Sequence, residues 1–269
     1  MASRWAGLLV GVWVVAVCGC RSIDNVRVRP SQGQPLTEDD AQRMRQEAES
    51  LYDQQPRSVT SVRKAADLFE QAAHTLQDDY TAQWQAAEAM EFLAGNEARS
   101  DLRKQSAQHG IVYARRAREL KPDGVEGHYW YALNVGRLAD ADRTYGLTAV
   151  GEMQTALKRA IELDERYDYA GPLRVMAVLY LRTPQPPASI GSPRKGLRML
   201  QQVVELFPDY PENYLYLAEA LRDNGRAGDA KEALSKVVEA SPWPDEQFES
   251  EQWKAEALKL KAQLDKSRS

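Results

Sequence analysis

Cysteine is almost missing from this chain: two of 269 residues, Cys18 and Cys20, with none after position 20. A fold stapled by disulfides is therefore excluded. Histidine is scarce as well, and His74, His109 and His128 stand apart from one another, without His-x-x-x-His spacing or a nearby thiol, so no metal site is expected. Each fits a helix surface or a cap. Alternating β-branched runs and Asn-Gly dipeptides are also lacking, which argues against sheet. Gly191 and Gly196 flank a proline loop without the Lys-Ser or Lys-Thr of a phosphate-binding loop. The formal charge is -4, and no basic stripe stands out, so nucleic acid is not an expected partner. The 39 acidic residues alternate with 35 basic ones on polar helix faces, where solvation accounts for them. No nucleophile with a base and no isolated carboxylate pair is present. The expectation is a chain that is not an enzyme, with no catalytic, cofactor-binding or metal residues.

What the chain does have begins at its first residues. MASRWAGLLVGVWVVAVCGC, residues 1–20, gives a cationic start at Arg4, an apolar stretch from Ala6 to Val17, then small residues and cysteine. That is the layout of a secretory signal, and a dozen or so apolar residues fall short of the roughly 20 that span a bilayer. Val17-Cys18-Gly19-Cys20 resembles the lipobox of bacterial lipoproteins, with Cys20 as the residue that is lipidated and Gly19 as the small residue before it. The resemblance implies lipid attachment at Cys20 and a chain held on a membrane facing the periplasm. Arg21, where an Asp would hold enteric lipoproteins at the inner membrane, leans toward the outer one. Residues 21–36 contain Pro30, Gly33 and Pro35 and no helical period, and read as a flexible tether.

From Thr37 onward the pattern is helical. Thr37 followed by Asp40, just before AQRMRQEAESLY, matches a capping box that opens the first helix. Further on, Gly196, Leu200, Val203, Val204, Glu205 and Pro208 recur as Ala230, Leu234, Val237, Val238, Glu239 and Pro242, 34 residues later at every position. A 34-residue period marks tetratricopeptide (TPR) units, helix pairs that bury their apolar faces only by stacking on neighbours. The segment from Pro211 to Pro242 resembles the TPR consensus: Tyr214 at the large first position, Leu217-Ala218, Leu221, Gly225 at the turn, then Ala230 and Leu234. Ala218 and Ala230 are short where two helices must approach closely, and Pro242, lacking an amide hydrogen, ends the second helix. Working backwards, the same reading gives an all-α, TPR-like helical-hairpin solenoid over residues 37–246. It has about five units, closed by a polar capping helix over 247–269.

Three middle units depart from the plain consensus. Leu221 and Ala230 lie nine apart, whereas Met90 and Gly110 lie 20 apart, Val135 and Met153 18, and Tyr180 and Gly196 16. Longer helices or loops are expected there, including Thr183 to Pro193, whose prolines forbid a helix. With EGHYWYALNVGR, LKRAIELDERYD and the Pro-Pro…Ile-Gly-Ser-Pro loop leading into KGLRMLQQVVELFPDYPENYLYLAEAL, the chain resembles the TPR lipoproteins described as the T component of TRAP transporters. It also resembles, more distantly, the regulator-of-microtubule-dynamics proteins. The resemblance covers roughly residues 41–240. It implies a non-catalytic binding or adaptor component of TRAP-type solute transport. A periplasmic solute-binding protein, or a small organic ligand, is then the partner. A scaffold lipoprotein for envelope or outer-membrane assembly complexes is the alternative.

A stacked array presents a long surface made mainly by its first helices. In the TPR register Trp84 and Tyr129 occupy the same groove-facing position of successive units, with Glu88, Leu133, Arg137, Arg174 and Leu215 at other groove positions. An aromatic row with arginines nearby suits a peptide, a helix or an organic acid. The same aromatics also fit packing between helices.

Overall fold

The computed structural model describes residues 21–26 and 36–266. The expected signal segment and Cys20 lie outside the described residues. Among the described residues there are eleven α-helices, two short 3₁₀ turns and no strand. Ten of the helices form five antiparallel pairs. The pairs α1 (Glu38–Asp53) with α2 (Val59–Thr75), α3 (Tyr80–Asn96) with α4 (Ser100–Leu120) and α5 (Val125–Ala141) with α6 (Gly146–Leu163) make one compact unit that ends at Leu163. A second unit begins at Asp164. It holds α7 (Tyr167–Arg182) with α8 (Pro193–Leu206), α9 (Pro211–Asp223) with α10 (Ala227–Glu239), and the closing helix α11 (Gln247–Lys266). The all-α, TPR-like solenoid of about five hairpins is thus the observed fold.

Helix starts follow local chemistry. The Thr37 hydroxyl accepts the Asp40 amide, the Ser58 hydroxyl accepts the Ser61 amide, and the Asp79 carboxylate accepts the Ala82 amide. Each satisfies a donor that the first helical turn leaves unpaired. Pro193 and Pro211 stand in the first turns of α8 and α9, where a missing amide hydrogen costs nothing. Gly225 makes the turn from α9 to α10 at φ +74°, a conformation that favours glycine.

Composition decides which helix of each pair lies inside. In α5, VEGHYWYALNVGRLADA is apolar or aromatic on every face, and all residues from Gly127 to Ala139 are buried. In α8, PRKGLRMLQQVVEL has one apolar stripe, and only Gly196, Leu200 and Val203 are buried. A helix apolar all round must be covered all round, while a one-sided helix can face water. From the second pair on, the first helices are accordingly the inner ones, as α3 and α7 also show, whereas in the first pair α2 buries more residues than α1.

The extra residues of the middle pairs are absorbed in three ways. The helix α4 is lengthened to 21 residues. A 3₁₀ turn, Arg143–Tyr145, precedes α6. The Pro-rich loop before α8 folds back on α7, the Ser192 amide donating to the Tyr180 carbonyl at 2.8 Å.

Two expectations need correction. Residues 21–36 are not a tether throughout: Ile23–Asn25 form a 3₁₀ turn, Ile23 is wholly buried and Val26 is 3% exposed. Arg115 of α4 donates to the carbonyls of Ile23 (3.0 Å) and Val26 (3.4 Å). Two apolar side chains in an otherwise polar stretch are enough to dock it, because burying each is worth about 1.5–3 kcal/mol. The closing helix is not simply polar either. Trp253, Ala257, Leu260 and Leu264 recur at helical spacing and are buried, with Trp253 1% exposed.

Candidate partner-binding surface

The groove positions read from the repeat register divide in two. Trp84 and Glu88 sit on α3 and are half-buried, so both retain a face toward solvent. Tyr129, Leu133, Arg137, Arg174 and Leu215 are buried, none more than 6% exposed, and do not form an open face. The register places a residue on a helix, but it does not reveal that the inner helices are covered on nearly every side.

In the first unit the buried stripe is held by polar links between inner helices. Arg137 of α5 and Glu91 of α3 form an ion pair at 2.9 Å, with Glu91 wholly buried. A buried pair with good geometry offsets the large cost of removing both charges from water, whereas either charge alone does not. One turn earlier, the Asn134 amide donates to the carbonyls of Ala87 and Trp130, both at 2.9 Å. These contacts are possible because α4 carries glycine opposite: a Cβ at Gly110 would lie 2.1 Å from Asn134 Oδ1. Tyr129 tilts against Trp130 with centroids 5.0 Å apart, so Tyr129 contributes packing.

His128 Nε2 donates to the Pro122 carbonyl at 3.0 Å, and burial lowers its pKa and favours the neutral ring. It acts as a cap on the α4–α5 turn. His109 is paired with Glu70 across α4 and α2, and His74 is exposed.

The second unit has a more elaborate centre. Arg174 is 1% exposed and forms an ion pair with Glu212 at 2.9 Å. It also donates to the Asn213 side-chain oxygen at 2.9 Å and to the Tyr169 backbone carbonyl at 3.1 Å. That last contact braces a left-handed stretch, Asp168, Tyr169 and Ala170, at φ 49°, 53° and 64°. Regular helix begins only after it, at Gly171-Pro172. Left-handed geometry costs about 1–2 kcal/mol per non-glycine residue, so the surrounding contacts must hold it.

They do so with rings. Tyr169 stacks on Tyr210 (4.3 Å, 18°), Trp243 meets both edge-on at 5.2 Å, and Trp253 meets Tyr210 at 5.4 Å. Tyr210 donates its hydroxyl proton to Glu246 at 2.5 Å, and burial with that neighbouring carboxylate pushes the phenol well above its usual range. Beside this centre an open cleft of about 520 Å³ is lined by Pro208, Pro211, Tyr214, Pro242, Trp243 and Pro244, with Asp209, Lys236 and Glu239 also on its wall.

Sequence reasoning missed Glu91, Glu212 and Asn213. Glu91 carried a signal, being a charged residue between Met90 and Phe92 in a mostly apolar stretch; Glu212 and Asn213, side by side in the first turn of α9, carried none of that kind. It also missed the proline- and aromatic-lined cleft. Those residues come from two turns and from the helices α9 and α10 between them, and no spacing rule unites them.

Comparison with known proteins follows the same division. The model for regulator of microtubule dynamics protein 1-3 matches residues 44–171, and a tetratricopeptide repeat model matches residues 191–248. No curated protein matches the sequence. Among solved structures, a thermophilic TPR protein from Thermus thermophilus is 20% identical, covers 81% of this chain and 98% of its own, and superposes with a TM-score of 0.60. A fragment of MamA, residue 41 to its end, from Desulfovibrio magneticus is 15% identical, covers 75% of this chain and 94% of its own, and gives 0.50. At these identities the likeness is one of fold. TPR-repeat folds are typically non-catalytic scaffolds for protein interaction, and no enzyme family is indicated. The chain is a TPR-like helical-repeat protein whose fold suits it to bind protein partners.

Proposed function

We propose that this chain is a lipid-anchored adaptor facing the periplasm, which binds a solute-binding protein as an accessory part of TRAP-type uptake. The observation that carries the reading is a lipobox-like Val17-Cys18-Gly19-Cys20 followed, after residues 21–36, by a TPR-like array. The first supplies a membrane address, and the second a surface for a partner. The resemblance of residues 41–240 to TRAP T components supports the transport context.

Trp84 and Glu88 of α3 are the side chains best placed for contact in the first unit, since they combine an aromatic plane with a carboxylate and remain half-exposed. A flat aromatic surface contributes contact area at small entropic cost, which is why Trp dominates binding hot spots. In the second unit the cleft beside Tyr214 and Trp243 offers proline and aromatic walls to an extended segment.

Affinity purification of the full chain from detergent-solubilised envelope tests this. Co-purification of a solute-binding protein, lost in Trp84→Asp, supports the adaptor reading. Recovery of β-barrel assembly or peptidoglycan machinery in its place favours the scaffold alternative. Recovery of neither, with the chain folded, refutes both.

A further inference from the structure

The six residues that follow position 20 are fixed to the body of the first unit, and this has a geometric consequence for how the protein stands on a membrane. The Arg21 amide donates to the Thr144 carbonyl at 3.4 Å, and the Arg21 guanidinium lies 3.6 Å from the Asp142 carboxylate. From there the segment runs along the unit, burying Ile23 and Val26, with both of their carbonyls held by Arg115. Asp142 is itself fixed. It accepts Lys104 of α4 at 2.7 Å and the Thr144 hydroxyl at 2.7 Å, and although burial raises its pKa these bonds hold it down to about 2.

Arg21 thus fixes where the chain enters the unit, beside the α5–α6 turn, and Cys20 is joined to it by a single peptide bond. We infer that acylation at Cys20 stands the first unit on the bilayer by one end, with the α3–α4 and α5–α6 turns at the lipid headgroups and the α2–α3 and α4–α5 turns pointing away. The inference rests on the lipid-anchor reading above. A flexible tether would let the array tumble; a tether clipped along its first six residues sets which end faces lipid.

Charge agrees with that direction. At the anchored end Arg21, Arg99, Arg103, Lys104 and Arg143 are balanced by Glu97, Asp101, Asp140 and Asp142. At the opposite end Asp78, Asp79, Glu119, Asp123 and Glu126 outnumber Arg116, Arg118 and Lys121. An anionic leaflet repels the second end more than the first. The two ends are separated by the 17-residue length of α5, about 25 Å, which carries the acidic end beyond the Debye length of roughly 8 Å.

The test uses the acylated full chain in vesicles of phosphatidylethanolamine and phosphatidylglycerol containing a lipid with a nitroxide on its headgroup. Arg143→Cys and Asp123→Cys, both at exposed sites, each introduce one free thiol for a fluorophore. The expected result is strong quenching at 143 and its loss at 123. Ile23→Asp, and Arg115→Gln as a milder release, should erase the difference while circular dichroism and the acylated mass stay unchanged. Equal or reversed quenching on acylated protein overturns the orientation and leaves the lipid anchor standing. An N-terminal mass without acyl chains overturns the anchor, and the orientation with it.

Discussion

The tightest close approach between α4 and α5 gives the sharpest prediction. Gly110 faces Asn134, and an added Cβ would lie 2.1 Å from its Oδ1, where contacts under 3.0 Å essentially do not occur; the deficit is 0.9 Å. Either the two helices part, which costs about 1–3 kcal/mol as overpacking, or Asn134 swings away and loses its bonds to Ala87 and Trp130, about 1 kcal/mol each. Alanine regains about 1 kcal/mol over glycine as a helix former. Gly110→Ala should therefore destabilise the first unit, by up to about 2 kcal/mol. In an Asn134→Ala background the clash is gone and only the helix preference remains, so the same change should stabilise by up to about 1 kcal/mol. Urea unfolding followed by tryptophan fluorescence, with midpoints compared at constant slope, reads both values. Stabilisation by Gly110→Ala in both backgrounds would refute the close-approach argument.

Other consequences can be read the same way. Arg137→Met alone leaves Glu91 buried and should cost about 3–5 kcal/mol, whereas Arg137→Met with Glu91→Leu should unfold near the wild-type midpoint. Trp253→Ala removes the largest buried side chain of α11 and should cost about 3–5 kcal/mol in thermal or urea unfolding of the second unit. Asp142 has a folded pKa of about 2 against an ordinary 3.8, so it binds its proton more readily unfolded. Its contribution is whole above about pH 4 and is lost as the pH falls toward 2. Asp142→Asn should flatten stability over that window.

How much of this was legible beforehand depends on the kind of residue. The 34-residue recurrence from Gly196 to Pro242 is a local, periodic signal, and the hairpins it implies are the ones observed. Burial of Tyr129, Leu133, Arg137, Arg174 and Leu215 was not legible, since a repeat register reports the angle of a residue about its helix and not the size of what packs there. The docking of Ile23 and Val26 was hidden by the prolines and glycine beyond them, which made the whole of residues 21–36 read as tether. The network of Arg174 with Glu212, Asn213 and Tyr210 joins residues some 40 positions apart. Only packing brings these residues together.

The central claim is that the half-exposed face of the inner helix α3 is where a protein partner binds. Site-specific photocross-linking in the intact envelope tests it most directly, with a photoreactive phenylalanine analogue at Trp84 and, as the control, at exposed Lys158 on α6. The account predicts a discrete adduct with a solute-binding protein from position 84 and none from 158. An adduct from 158 alone, or identical adducts from both positions, would contradict it.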